Sequence, residues 1–332
     1  MRKRRMAFVT LVMALTLVLF GVSAMVHPTD AMAQAKKYRF IFVNQWGPGA
    51  FPSVVKQGMD DAAQQLGVDA TIVFLARNDD LAAQLAAFEA ALLKNPDGII
   101  TTIPNATMFN KVIQRALDKG IPVICSNTDA LIGTGNPLEH KIPYIGSSLF
   151  AGGYDIARRA VEYFPDKTKI RALVGLESPG QSWCEERGGG AVKYLEEQKI
   201  PYEKIDLSQD MSTMESRVSA YLRRNPDTNL VMSQGGNGPF GTSKGVQAAG
   251  KKLGEVIVVG YDITPQNADQ LKKGWVTLLN DQQPYLQGYL PVVQLYMMKE
   301  YALSGWDVNT GLGYVDKNNI DKVFGLVQKR VR

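Results

Sequence analysis

The run that most resembles a chemical motif is Gly236-Asn237-Gly238-Pro239-Phe240-Gly241, a G-x-G-x-x-G pattern. It follows an apolar stretch and opens a helix-like one, and Asp262 lies 21 residues after Gly241. In a dinucleotide-binding enzyme such glycines let the backbone approach a pyrophosphate, and the acid takes a ribose hydroxyl. Three features oppose that reading. The fingerprint belongs at the first strand of a nucleotide domain, and here it lies deep in the chain. Of the two histidines, His27 sits in a leader-like start and His140 in a predicted loop, so hydride transfer has no obvious acid–base partner. The start also marks the chain for export, away from nicotinamide cofactors. An NAD-dependent dehydrogenase is therefore only a remote alternative, and the expectation is no enzyme and no cofactor. The plainer reading is a Gly-rich loop that brings backbone close to a ligand or tightens a turn. No G-x-S-x-G elbow and no metal-spaced His/Cys/Asp set occurs. Cys125 ends an apolar run and reads as a buried inert thiol. Cys184 lies near a helix start, where a thiol pKa can be lowered. A bridge between them would lock two separate units together and is not expected.

A second set of residues suits binding without reaction. Beyond successive apolar runs stand Asn44, Gln45, Trp46 and Phe51, then Asn127, Thr128 and Asp129. Further on come Trp183, Arg187, Asn237, Asp262 and Gln282. Aromatic faces cover the C–H faces of a neutral polyhydroxyl compound, and planar polar groups bond pairs of adjacent hydroxyls. Each residue has a plainer role open to it. Phe51 could be a hydrophobic staple and Trp46 a rim residue. Asp262 could cap a helix opening near Thr264-Pro265, and Arg187 could pair with Glu185 or Glu186. The argument rests on their common location.

That location follows from the elements. Periodicity predicts strands at 38–45, 69–75, 98–103, 121–126 and 142–146, with helices at 51–66, 80–93 and 106–119 between them. The pattern restarts with helices at 150–164, 185–198, 212–224 and 240–252, strands at 169–175, 229–233, 256–261 and 276–281, and a last helix at 285–303. Strands alternating with such helices require parallel sheets with right-handed crossovers. The fold class is α/β, two doubly wound parallel-sheet lobes, and ligands bind beyond the carboxyl ends of such strands. The 332 residues suit two domains. The net charge of +5 points to a basic surface until its origin is located. Met1-Arg2-Lys3-Arg4-Arg5 precedes an uncharged run to Val26 and an Ala31-Met32-Ala33 exit. These define a signal peptide over 1–33, cut before Gln34. Its removal leaves 33 basic and 31 acidic side chains, so no cluster for nucleic acid survives.

The mature chain resembles type I periplasmic substrate-binding proteins of ABC sugar transporters, in their ribose-binding branch. The resemblance is carried by Val258-Val259-Gly260-Tyr261-Asp262-Ile263-Thr264-Pro265 and by Gly180-Gln181-Ser182 through Arg187-Gly188. Asn95-Pro96-Asp97-Gly98-Ile99-Ile100 and Gly120-Ile121-Pro122-Val123-Ile124 add to it. It implies that Asp262 is the sugar-binding aspartate, Arg187 the pocket arginine, and Gln282 the glutamine at a crossing between lobes. It also implies that Phe51 is the first stacking aromatic, with Met211 where ribose binders carry a phenylalanine. This chain departs at Asn127-Thr128, where ribose binders have an Asp-Arg pair. It departs again at Gly235 in place of an asparagine, with Asn237 nearby, and at Pro52 in place of the second aromatic. Each lost partner would leave a hydroxyl short by about 1–3 kcal/mol, so the expected ligand is a sugar or polyol other than ribose.

The resemblance implies lobes at 34–147 plus 283–312 and at 148–282 plus 313–332. Their hinge is expected near 144–148, 282–284 and 310–314. It implies a periplasmic monomer that closes on a small sugar or polyol and is read by the transmembrane subunits of an ABC permease. A chemoreceptor or sensor kinase is the alternative partner, and an autoinducer-2-type signal the alternative ligand. A sugar-responsive repressor would need a helix-turn-helix where the leader stands. The expected result of Asp262→Ala is loss of ligand binding, by calorimetry, with an unchanged circular dichroism spectrum.

Overall fold

The computed structural model describes residues 37–332. The signal peptide at 1–33 and its cut before Gln34 lie outside the described residues. Twelve strands and ten α-helices follow one another along the described residues.

The first lobe's sheet is built from β1 (Arg39–Val43), β2 (Asp69–Val73), β3 (Gly98–Ile103), β4 (Val123–Asp129), β5 (Tyr144–Gly146) and β11 (Val308–Asn309). Its helices include α1 (Ala50–Leu66), α2 (Leu81–Leu93) and α3 (Asn110–Asp118). The strand order is β11-β5-β4-β3-β1-β2, parallel throughout. The run GIITTI of β3 is buried along its whole length, as a central strand covered on both faces must be. Successive residues divide between those faces. Ile99 joins Ile41, Val43 and Phe88, while Ile100 joins Phe40, Phe42 and Met59.

The second lobe repeats the plan. Its strands are β6 (Ala172–Leu176), β7 (Tyr202–Asp206), β8 (Leu230–Ser233), β9 (Ile257–Tyr261), β10 (Leu278–Asp281) and β12 (Gly313–Asp316). Its helices are α4 (Leu149–Val161), α5 (Ser182–Glu197), α6 (Met211–Arg224), α7 (Gly238–Ala248), α8 (Pro265–Lys272) and α10 (Ile320–Gln328). The order is β12-β10-β9-β8-β6-β7, parallel except for the antiparallel β12. In both sheets the first strand lies between the second and the third. That reversal is the switch point where doubly wound sheets bind ligands.

The chain passes between the sheets three times, after β5, after β10 and between β11 and β12. Helix α9 (Pro284–Glu300) follows the second passage and packs back on the first lobe, where Val292 and Leu295 complete the Phe40–Phe42 core. Its seat on α1 is made by two glycines. A Cβ at Gly288 would lie 1.9 Å from the Val55 carbonyl oxygen, and one at Gly58 would lie 2.0 Å from that of Tyr285. The second lobe uses the same device between α4 and α5. A Cβ at Gly153 would lie 1.9 Å from the Arg187 carbonyl oxygen, and one at Gly190 would lie 2.0 Å from that of Phe150.

The structure departs from the sequence expectations at the margins. Strand β7 reads YEKID and is largely exposed as a sheet edge, so it lacks an apolar run. Helices α8 and α10 and the short β11 and β12 were also not anticipated by periodicity. Helix α3 starts at Asn110 rather than 106, because the Asn105 side chain accepts from the Thr107 and Met108 amides and forms a turn there.

Both glycine crossings face backbone, which cannot move aside as a flexible side chain can. Gly288→Ala and Gly153→Ala are each expected to lower stability by about 1–3 kcal/mol in denaturant titrations. Only Gly153→Ala, which pushes on the backbone of Arg187, is expected also to weaken ligand binding.

Candidate functional site

Loops at the carboxyl ends of both sheets enclose a cavity of about 370 Å³, within the range of small-molecule sites. The first lobe contributes Gln45, Trp46, Phe51, Asn78, Asp79 and Asn127. The second contributes Glu177, Trp183, Arg187, Gln209, Met211, Asn237 and Asp262, and Gln282 lies at the passage after β10. Trp46 stands edge-on to Phe51, with ring centroids 5.2 Å apart, and rests on Phe42 at 5.9 Å. These contacts give the aromatic wall a fixed orientation.

The polar floor is a buried network that joins the lobes. The Gln282 amide oxygen accepts from Asn127 at 3.2 Å and from Arg187 at 3.0 Å, and its nitrogen donates to Asp262 at 2.6 Å. Arg187 also donates to the Gln234 carbonyl at 3.0 Å and to the Ser147 hydroxyl at 3.3 Å. Its guanidinium lies 4.1 Å from the Tyr261 ring centroid and 5.8 Å from that of Trp183, a cation–π arrangement. Asn127 donates further to Gln287 at 2.9 Å, and Gln287 donates to Thr310 at 2.9 Å. Residues from all three passages, Ser147, Gln282 and Thr310, thus meet under the cavity.

Three lining residues, Asp79, Asn127 and Asp262, occupy left-handed backbone. Asn127 has φ +68° and Asp262 has φ +69°. Asn and Asp tolerate this region best among residues with a Cβ. At Asn127 the ladder between β3 and β4 is irregular, and pairing resumes at Ile103 with Asp129.

The Gly-rich loop before α7 encloses a carboxylate of the protein itself. Glu177 accepts from the Gly235 amide at 2.7 Å and the Gly238 amide at 2.9 Å. A Cβ at Gly235 would lie 2.6 Å from a Glu177 oxygen, one at Gly238 2.2 Å from the other, and one at Gly236 2.4 Å from an Asp262 oxygen. Gly235, Gly236 and Gly238 are required by the side chains of Glu177 and Asp262, and Gly241 lies against Met214. A pyrophosphate approaching these amides would meet a buried carboxylate already bound to them. The spacing that suggested a dinucleotide site therefore has a different cause.

The family model described as "Periplasmic binding protein domain" matches residues 40–301. The chain belongs to the periplasmic binding protein family. Among its relatives, the xylose/arabinose-binding protein XylF of Sulfolobus acidocaldarius is 25% identical over 307 residues, covering 89% of this chain and 73% of that protein. The ribose import binding protein RbsB of Haemophilus influenzae is 26% identical over 244 residues, covering 72% of this chain and 78% of that one. The crystal structure of a periplasmic sugar-binding protein of an ABC sugar transporter from Legionella pneumophila superposes with a TM-score of 0.73 at 30% identity. It covers 83% of this chain and 100% of that one. These relatives are solute-binding proteins rather than enzymes, and the two-lobed architecture is that of the type I members of the family.

Of the residues singled out from the sequence, Trp46, Phe51, Asn127, Trp183, Arg187, Met211, Asn237, Asp262 and Gln282 line the cavity. Asn44 and Asp129 do not. The Asn44 amide donates to the Val73 carbonyl at 2.9 Å and its oxygen accepts from the Trp46 amide at 2.7 Å, so it shapes the turn after β1. Asp129 accepts from the Leu131 amide at 2.9 Å and folds the following loop. The plainer roles for two others fail on geometry. The cap of α8 is Thr264, not Asp262, and Arg187 turns to Gln282 and Gln234 rather than to its neighbouring glutamates. The lower thiol pKa that a helix start allows at Cys184 is not found. Burial pushes the Cys184 thiol up to about 12, and Cys125 is raised as well. Both thiols are buried and free. Sequence reasoning missed Asp79, Glu177 and Gln209. The only signal for Glu177 was an acid directly after a buried strand, opposite a glycine-rich turn.

Burial raises Glu177 to about 7, with the Asp262 charge adding to the effect, and raises Asp262 to about 6. Each acid holds its proton more tightly folded than unfolded, where values of 4.5 and 3.8 apply. Their contribution to stability is therefore full below the unfolded values and is lost as the pH rises through 6 to 7. The melting temperature is expected to fall between pH 5.5 and pH 8, and Glu177→Gln is expected to flatten that slope in a calorimetric series.

Proposed function

We propose that this protein is the solute receptor of an ABC importer outside the cytoplasm. It takes a neutral monosaccharide or polyol into the cavity and presents its closed form to the transmembrane permease. The observation that carries this reading is the composition of the cavity wall. Trp46, Phe51 and Trp183 bring aromatic faces, and Asn127, Arg187, Asp262 and Gln282 bring planar polar groups, to the same cavity. Its relatives, a xylose/arabinose-binding protein and a ribose import binding protein, support a sugar.

The charges of the wall support a neutral ligand. Asp79, Glu177 and Asp262 face the cavity with Arg187 as the one cation among its lining residues. That arginine already serves Gln234, Ser147 and Gln282. A uronic acid or a sugar phosphate would bring a further negative charge to a site of low dielectric, where like charges repel strongly. With Asn127-Thr128 in place of a charged pair, ribose is not the expected ligand. Binding consists of contacts made by both lobes at once, so the ligand shifts the population toward the closed form. The lobes we propose are 34–147 with 283–312 and 148–282 with 313–332, moving about the three passages, in a monomer exported to the periplasm.

Thermal-shift screening of residues 34–332 tests this reading. Neutral pentoses, hexoses or polyols are expected to raise the melting temperature by a few degrees at about a hundredfold excess over Kd, with ribose giving less than the best of them. Uronic acids and sugar phosphates are expected to have no effect. A panel in which only charged compounds raise the melting temperature, or none does, would refute it.

A further inference from the structure

The two lobes touch at a second place, remote from the passages. Asp79 lies in the loop after β2, and Gln209 lies in the loop after β7. β2 and β7 are the outer edges of their sheets, at the opposite end from β5, β10 and β12, where the chain crosses. Any opening about the passages separates these two loops by more than the floor of the cavity.

Across that gap the Asp79 carboxylate collects donors. Gln209 donates at 2.8 Å and Ser178 at 3.2 Å, and the Trp183 side chain bonds the same carboxyl. All three belong to the second lobe. Gln209 also reaches Ser178, and its amide oxygen accepts from Asn78 at 3.1 Å. Each half is held from its own side. Gln45 donates to Asp79 at 3.0 Å, the Asp79 amide donates to the Gln45 carbonyl at 2.8 Å, and its backbone sits at φ +59°. Asn237 donates to the Gln209 carbonyl at 3.1 Å. The neighbouring Asp80 caps α2, so the two consecutive acids divide between helix and cleft.

We propose that Asp79 is a closing residue, one half of a clasp with Gln209, Ser178 and Trp183 that favours the closed cleft before any ligand arrives. These bonds form only when the lobes meet, so they act on the open–closed equilibrium and not on either lobe alone. The desolvation of Asp79 opposes its four donors and raises its pKa, so the clasp is a reversible bias and not a lock. In the liganded protein the same bonds must break before the ligand leaves.

Spin-label distances on the ligand-free protein test this without knowledge of the ligand. Leu93→Cys and Glu203→Cys place labels on exposed positions of the two lobes, and the native thiols are buried. The parent is expected to show a dominant short-distance population. Asp79→Ala and Gln209→Ala are each expected to move it to longer distances, by about tenfold in the closed-to-open ratio. Asp79→Asn should restore part of it, and the double alanine variant, which removes both the Ser178–Asp79 and the Asn78–Gln209 bonds, should open further than either single one. An unchanged distribution in Asp79→Ala, or a parent already at the long distance, overturns the proposal. Should Asp79→Ala lose its fold by circular dichroism, Gln209→Ala and Asp79→Asn decide in the same way. Failure here leaves the choice of ligand untouched, since no ligand enters the measurement.

Discussion

One side-chain amide sets the frame of this molecule. Gln282 is 3% exposed and stands where the chain returns from the second lobe to the first. It accepts from one residue of each lobe and donates to Asp262. A buried amide that loses such partners costs about 1–3 kcal/mol per unsatisfied group, so its three bonds are maintained together. That requirement fixes Asn127, Arg187 and Asp262 relative to one another. They are also the residues that present hydrogen-bonding groups to the cavity. Hinge and binding floor are thus one network, and a ligand that pulls on any of the three is felt at the passage itself.

The carboxylates of the second lobe show a related economy. Glu177 uses the amides of the Gly-rich loop, so the helix end that elsewhere receives phosphate is already occupied. Burial raises the pKa of both Glu177 and Asp262, and the Asp262 charge adds to the effect at Glu177. Arg187 tempers this at Asp262, whose pKa it lowers. In their ionised form these acids make a wall that accepts hydroxyl donors and is unfavourable to anions, and that character grows as the pH rises. The specificity argued for this cleft therefore depends on residues that need not themselves touch a sugar.

Much of this was legible in the residues. Buried strands such as GIITTI and VIVVGY announce a parallel sheet, and the polar and aromatic residues beyond them fall in one cavity because strand ends in such sheets converge. What escaped did so for physical reasons. Asp79 stands directly before Asp80, which caps α2, and its role arises only when the far lobe arrives. Gln209 follows β7, an edge strand whose charged sequence hides it. Asn44 and Asp129 stand at strand ends as a ligand-binding residue would, yet short amide and carboxyl side chains bond local backbone readily. Position alone cannot separate those two uses.

The return of α9 to the first lobe also orders the assembly of the molecule in time. Val292 and Leu295 complete the core around Phe40 and Phe42, more than 240 positions earlier in the chain. During synthesis from the amino end, the first lobe cannot close one face of its sheet until nearly the whole chain has been made. The second lobe has β6 through β10 contiguous in sequence, but its core also waits for Val315, Ile320 and Val327 near the end of the chain. Contacts of such long sequence separation slow folding. Neither lobe can complete its core until nearly the whole chain has been made, so the two lobes set late and together.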